Sequence, residues 1–360
     1  MSPLEFRALR LNALGMLAPQ ASLEHALTTT VGVQAQQLRQ AEIGLGLRVP
    51  ASNNDDVNAM YQENKIVRNW GQRWTQQLML VDDWKLVIAA RQNEHLPNNY
   101  FLGHKDLITH LAALLEDYLA TNPILSQTEV EAFLSRESPV SIAGQFKYAV
   151  LQLVIAHGSA YFVPTGANKF TLYATPKTTL LAPATAIKEL AIRFVHGFGP
   201  VSMADFAKWS GIRPSIIRPI WEKLTIDWQH LTYNGIDLVS DTPWSTAQLQ
   251  MLTEQLQTSP ILASGFDASM TGYVDKDWLT TPAHQSDLWS KNGILRPYVM
   301  VDGEVAGTWT MKTAGKQVSF IINSWQALSA KQQATVASQL EKIGLFLNKS
   351  VKTIDFVITK

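Results

Sequence analysis

The chain has 360 residues, 46% of them hydrophobic, with 30 basic and 30 acidic side chains and a formal net charge of zero. That apolar content excludes disorder and suits two or three domains of roughly 100–200 residues, and the absence of cysteine excludes disulfides, thiol nucleophiles and cysteine zinc sites. Zero net charge counts mildly against a nucleic-acid binder, although a basic groove can be balanced by an acidic back.

From the start, "SPLEFRALRLNALGML" has leucines at helical spacing, with Ser2 as N-cap and Pro3 in the first turn. "SLEHALTTT" predicts a second short helix that Gly32 ends, and "QLRQAEIGLGLRV" a third before Pro50. "ASNNDD" (51–56) reads as a polar loop or helix start, "RWTQQLMLV" (73–81) as a strand and "DDWKLVIAARQ" as a helix with an acidic first turn. From Leu102 the pattern changes. "DLITHLAALLEDYLATNP", "SQTEVEAFLS" and "SIAGQFKYAVLQLVIAHG" are three helices, the second with the Ser126–Glu129 spacing of a capping box, and "AYFVPTGANKFTLYA" is a hairpin around "TGANK". That is the order of a winged helix-turn-helix. It recurs as "TAIKELAIRFVHGFGP", "SMADFAKWSG", "RPSIIRPIWEKL" and a hairpin at 226–240 turning at Asn234-Gly235, with Ser202 as N-cap and Gly211 between helices. After about residue 255 the strands around Asp302-Gly303, "QVSFIIN" and "TIDFVI", with the helix "SAKQQATVASQLEKIGLFLN", predict a β-rich unit. The expected units are 1–101, 102–178, 179–250 and 251–360, in an α+β fold.

No run reaches the ~18 consecutive apolar residues of a membrane span, and the N-terminal stretch lacks the basic start and unbroken apolar core of a secretion signal. A cytoplasmic chain without a membrane partner is expected. There is no phosphate loop, H-E-x-x-H, nucleophile elbow or kinase signature. His104 and His110 do not share a helix face, so no metal site and no cofactor are expected. Four glutamines, Gln34, Gln36, Gln37 and Gln40, fall within "VGVQAQQLRQ". In a helix, Gln34 and Gln36 would point to nearly opposite sides; in an extended break after Gly32 they would project together, with Val33 and Ala35 packed inward. Paired amides can orient a water or read a base edge, and such a segment is equally an ordinary solvated surface.

With "RLNALGM", "VGVQAQ", "RWTQQLML", "HGFGPVSMADFAKWSGI", "FDASMTGYVDKDWL" and "NGILRPYVMVDGEVAGTW" in this order, the chain resembles the AlkZ-like DNA glycosylases, the winged-helix DNA-binding family of HTH_42 type. The resemblance implies tandem winged helices, three in number, arranged in a C shape around the C-terminal β-rich scaffold, with a channel for double-stranded DNA. It implies a monofunctional glycosylase of base excision repair, monomeric and nucleoid-associated, that removes alkylated purines, including bulky N7 or N3 adducts and crosslinked bases. The family motif of glutamine, aliphatic residue, then glutamine or aspartate maps onto Gln34, Ala35 and Gln36 as the water-positioning pair. Family members often carry a threonine-x-histidine in the strand matched by "RWTQQLML"; this chain has Gln77 there, which is taken as a further candidate DNA contact. Phosphate contacts would come from Arg39, Arg48, Arg68 and Arg73, with Arg213 and Arg218 at the start of a candidate recognition helix, each of which is also readable as a plain surface charge. The alternatives are a non-catalytic winged-helix DNA binder, such as a regulator or damage sensor, and a protein-interaction scaffold.

Overall fold

The computed structural model describes residues 1–141, 144–166, 169–175 and 180–359. The turn of the "TGANK" hairpin (167–168) and the start of the helix expected from "SIAG" (142–143) lie outside the described residues. The chain opens with α1 (Pro3–Ala13), α2 (Leu23–Thr30), β1 (Val33–Gln34), α3 (Leu38–Arg48) and α4 (Asn54–Gln62), then β2 (Ile66–Trp70), β3 (Gln76–Leu80) and α5 (Val81–Arg91). Next come α6 (Lys105–Thr121), β4 (Ile124–Ser126), α7 (Gln127–Glu137), α8 (Gln145–Ala156), β5 (Ala160–Gly166) and β6 (Lys169–Ala174). A further set is α9 (Pro183–Phe198), α10 (Met203–Ser210), α11 (Pro214–Leu224), β7 (Gln229–Tyr233) and β8 (Ile236–Ser240). The C-terminal part holds α12 (Thr246–Thr258), β9 (Ile261–Ala263), α13 (Ala268–Thr271), α14 (Gln285–Leu288), β10 (Tyr298–Val301), β11 (Glu304–Ala314), β12 (Gln317–Ser324), α15 (Ala330–Phe346) and β13 (Ser350–Ile358).

One order of elements repeats. A helix leads into a short strand, two helices follow, and a hairpin returns so that its second strand pairs with the short one. The sheets β1-β3-β2 and β4-β6-β5 both have this order. In the third copy the short strand shrinks to a single bridge, Val201 to Val239 on β8. The capping pattern written in the sequence sets these helix starts. Ser126 with Glu129 and Ser202 with Asp205 each make the reciprocal bonds of a capping box. Asn234 and Gly235, both at positive φ, turn the β7–β8 hairpin. The C-terminal sheet runs β13-β12-β11-β10-β9, its one parallel pair being β12 with β13, and α15 packs against β13 and α3. The tryptophans Trp70, Trp74, Trp209, Trp221 and Trp309 are all buried. Among the described residues no helix is long and apolar enough to cross a membrane.

The structure departs from the expected elements in places. The strand expected at 73–81 begins only at Gln76, because Gln72–Trp74 forms a 3₁₀ turn with Arg73 and Trp74 in the left-handed region. Its partner β2, in "KIVRNW", carries too little alternation to stand out. The helix α12 crosses the expected boundary at 250/251 and packs on α1, so that boundary does not separate two bodies there.

Gly32 matters most for the site. Helix α2 ends on Val31 in the left-handed conformation, and Gly32 follows at φ +88°. A Cβ on Gly32 would lie 2.7 Å from Met79 Cβ and 2.9 Å from the Leu78 carbonyl. Only glycine allows both the conformation and the approach of β1 to β3. Gly32→Ala is expected to cost about 1–3 kcal/mol, read as a lowered denaturation midpoint; an unchanged midpoint would contradict this role for the turn.

Candidate active site

The break after α2 makes the glutamine segment extended. Val33 pairs with Leu78 and Gln34 with Gln77 across β1 and β3, and the Ala35 N–H donates to the Gln76 carbonyl at 2.8 Å. Val33 and Ala35 are buried, Gln34 is half-buried and Gln36 is exposed. Gln37 is itself extended and precedes the first turn of α3. The alternation follows from strand geometry. The loop entering β3 then pins both amides. Arg73 Nη2 donates to Gln34 Oε1 at 2.5 Å, and the Gln76 N–H donates to Gln36 Oε1 at 3.2 Å. Gln72 Nε2 donates to the Val31 carbonyl at 2.9 Å, tying the same loop to the end of α2. The two glutamines therefore do not lean on each other; a segment of four residues fixes them separately. Each carbonyl oxygen keeps a second lone pair, and each amide NH₂ stays available as a donor.

Gln36 opens onto a cleft of about 850 Å³. Among the described residues three cations line it, Arg39, Arg68 and Lys169, against one carboxylate, Glu42. Arg39 pairs with Glu42 at 3.1 Å and bonds Asn54. Arg68 Nε donates to the Ala35 carbonyl at 3.1 Å, so its guanidinium is tethered beside the motif. Burial raises the Glu42 pKa against the pull of Arg39 and Arg68. Tyr148, exposed, offers an aromatic face in the same cleft, and the Tyr61 hydroxyl is buried there without a partner. Gln34 does not line this cleft. It faces Arg73, whose Nη1 donates to the Thr271 carbonyl at 3.3 Å and whose pKa burial lowers.

The expected site residues separate into groups. Arg39 and Arg68 stand at the cleft and Arg73 at Gln34. Gln77 lies across the ladder from Gln34 but is buried, with Nε2 on Thr75 Oγ1 at 2.8 Å. Arg48 is a correction. It is 3% exposed and paired with buried Asp267 at 2.9 Å, so it holds α3 to the C-terminal part and has no reach to a phosphate. Arg213 caps α11, away from the cleft, with its side chain on Glu94 at 3.3 Å, and Arg218 is exposed on the same helix. Glu42, Tyr61, Tyr148 and Lys169 were missed. Glu42 had one signal, its i,i+3 spacing from Arg39 on α3; Tyr148 and Lys169 had none, since chain folding alone brings them over.

The chain belongs to the AlkZ-like DNA glycosylases: residues 27–346 match the family described as "DNA glycosylase AlkZ-like". It is 23% identical over 319 residues to an "Interstrand DNA cross-link repair glycosylase" of Streptomyces sahachiroi, covering 81% of this chain and 82% of that protein. The solved structure of Streptomyces sahachiroi DNA glycosylase AlkZ superposes with a TM-score of 0.77 at 18% identity, over 98% of this chain and 99% of that one. At that identity the structural likeness speaks for the fold.

Proposed function

We propose that this protein hydrolyses the N-glycosidic bond of alkylated purines in double-stranded DNA, with Gln34 and Gln36 positioning the water. The observation that carries this is the pinned pair of amides on an extended segment beside a cleft rich in cations. An N7-alkylated purine carries a positive charge and leaves as a neutral base with the electron pair of the C1′–N9 bond. The sugar becomes a cation, water adds its oxygen to C1′, and the spare proton passes to solvent. No strong base is needed, which suits amides: a carbonyl lone pair accepts from the water and turns its oxygen toward C1′. Extruding the nucleotide from the stack would let the purine stack on the exposed face of Tyr148 while Arg39, Arg68 and Lys169 meet phosphates.

The three repeated units are read as winged helices, supported by their shared strand order; their C-shaped arrangement around the C-terminal sheet rests on the family resemblance. The units are read as 1–101, 102–178 and 179–250, the last including the first turn of α12 from Thr246. Because the relative's name refers to interstrand crosslinks, crosslinked N7 purines are included among the substrates. The protein is read as a monofunctional monomer acting at the nucleoid. A duplex with an N7–N7 interstrand crosslink tests the substrate and the monofunctional reading together. The expected result is separated strands bearing alkali-labile abasic sites that stay intact without alkali. Strand breaks before alkali would contradict the monofunctional reading.

A second reading, damage binding without base release, is favoured by one observation. Gln77 stands where the family resemblance implies histidine, and its amide is turned away into a bond with Thr75. It predicts duplex binding with steep salt dependence and no free base.

A further inference from the structure

Three buried arginines of this chain sit against carboxylates: Arg7 with Glu304 at 2.7 Å, Arg10 with Asp205 at 3.7 Å and Arg48 with Asp267 at 2.9 Å. The cations grouped around Arg73, which itself bonds Gln34, are treated differently. Apart from Gln34, Arg73 bonds only the Thr271 carbonyl. Lys208, on α10, donates to the Tyr273 carbonyl two residues further along the same stretch. Lys276 follows three residues on, its ammonium 5.0 Å from the ring of Trp289. Arg91 lies behind this group, 2% exposed, bonded to the Ser210 carbonyl and stacked on Trp74, with Nε lacking any partner. Gly211 is the joint between them. At φ +71° it passes so close that an added Cβ would strike Arg91 Nη1 and lie 3.0 Å from Arg73 Cα.

Among the described residues none of these four cations has a carboxylate at ion-pair distance. The carboxylate facing Lys208, Asp205, is held by Arg10, the Ser202 N–H and the Val274 N–H. Carbonyl oxygens satisfy hydrogen bonds but cancel no charge. The Lys208 pKa is accordingly lowered by burial first and by Arg73 next, with Lys276 adding and Asp205 opposing. The backbone that delivers Arg73 is also strained: Arg73 and Trp74 are consecutive non-glycine residues at φ +55° and +56°. Such strain clusters at functional sites. Packed, mutually repelling cations cost free energy that an incoming anion offsets.

We propose that Arg73, Lys208 and Lys276 form a seat for a DNA backbone phosphate beside Gln34, with Arg91 behind them adding its field. The proposal rests on the glycosylase reading and deepens it. A seated phosphate fixes the position of its own sugar relative to Gln34. It also removes an electrostatic conflict: an empty cation cluster would oppose positive charge developing on the sugar, and a phosphate between them reverses that effect.

The test uses the whole protein with Lys208→Gln, Lys276→Gln and the pair, and Lys331→Gln at the exposed start of α15 as control. Glutamine at 208 removes the charge and retains a donor for the Tyr273 carbonyl. Binding to an undamaged duplex is measured from low to moderate salt. The expected result is that the slope of log K against log salt becomes shallower by about 1 in the pair, for one phosphate released, with the control unchanged and Lys208→Arg restoring the slope. A pair variant that keeps the wild-type slope overturns the proposal, as does a loss shared equally by the control. Should the pair fold poorly, Lys276→Gln alone, at a partly exposed position, is read by the same two outcomes: a shallower slope supports the seat and a wild-type slope overturns it. Base release by the wild type is read in parallel. Release with an unchanged slope removes the seat and leaves the enzyme; an altered slope without release keeps the seat and removes the enzyme.

Discussion

Replacing Gln34 or Gln36 by alanine is expected to slow single-turnover base release by about 100-fold each, while affinity for the duplex stays within about threefold, because phosphate contacts supply most of it. The cause is geometric. Gln36 is held at the cleft by the Gln76 N–H and Gln34 by Arg73, so each amide has one lone pair committed to its support and one left for a water. Alanine removes the acceptor and keeps the extended backbone, since Val33 and Ala35 still fill the core and the β1–β3 pairing is main-chain. The double variant should lose little more than the worse single one, as groups that act on one water are not additive. Full base release in the double variant would end the assignment of these residues.

The second large effect is on stability. Arg48 and Asp267 form a two-pronged pair, with Nη1 to Oδ2 at 2.9 Å and Nη2 to Oδ1 at 3.3 Å, across 219 residues of chain. Arg48 also donates to the Leu14 and Gly44 carbonyls. Ser269 bonds Asp267 through its N–H and its hydroxyl, and that hydroxyl meets Tyr298 Oη at 2.9 Å. Burial alone would raise the Asp267 pKa, but Arg48 and Ser269 outweigh it and hold the carboxyl below its ordinary 3.8. Arg48→Ala or Asp267→Asn leaves a buried charge without its counterpart and should cost about 3–5 kcal/mol, measured by denaturant unfolding. Replacing both by apolar residues of similar volume should cost less than either single change. The sign with pH is fixed as well. Because the folded pKa is depressed, the contribution is present above 3.8 and is lost as pH falls through the lower folded value. Between pH 5 and 8 this pair should therefore add no slope to stability. Its functional link is short, since α3 begins two residues after Gln36 and α13, which Asp267 caps, supplies the Thr271 carbonyl to Arg73.

The readable parts of this protein are local. Gly32 announces the break after α2, and the period of two in "VQAQ" then places Val33 and Ala35 inward. Ser126 with Glu129 writes a capping box, and Asn234-Gly235 and Asp302-Gly303 write hairpin turns. What stays hidden depends on residues far apart in the chain. Arg48 reads as a surface charge until Asp267 is brought to it. Arg73 reads as a free surface cation until its left-handed backbone turns it onto Gln34. Strand β2 escapes the sequence reading because it carries no strong alternation, whereas α12 is marked at its start by the Ser245–Gln248 capping box and only its packing on α1 depends on distant residues. Lys208 and Lys276 give no signal at all, since an unpaired cation is recognised only by the carboxylates missing around it.

The central claim, that this chain releases damaged purines, is tested most directly by one measurement: chromatographic detection of free base after incubating the protein in excess with a duplex carrying a single N7-methylguanine. The expected result is free 7-methylguanine in step with alkali-labile abasic sites, and its near disappearance in the Gln34→Ala, Gln36→Ala double variant. A duplex that is bound by the wild-type protein and yields no free base would contradict the claim.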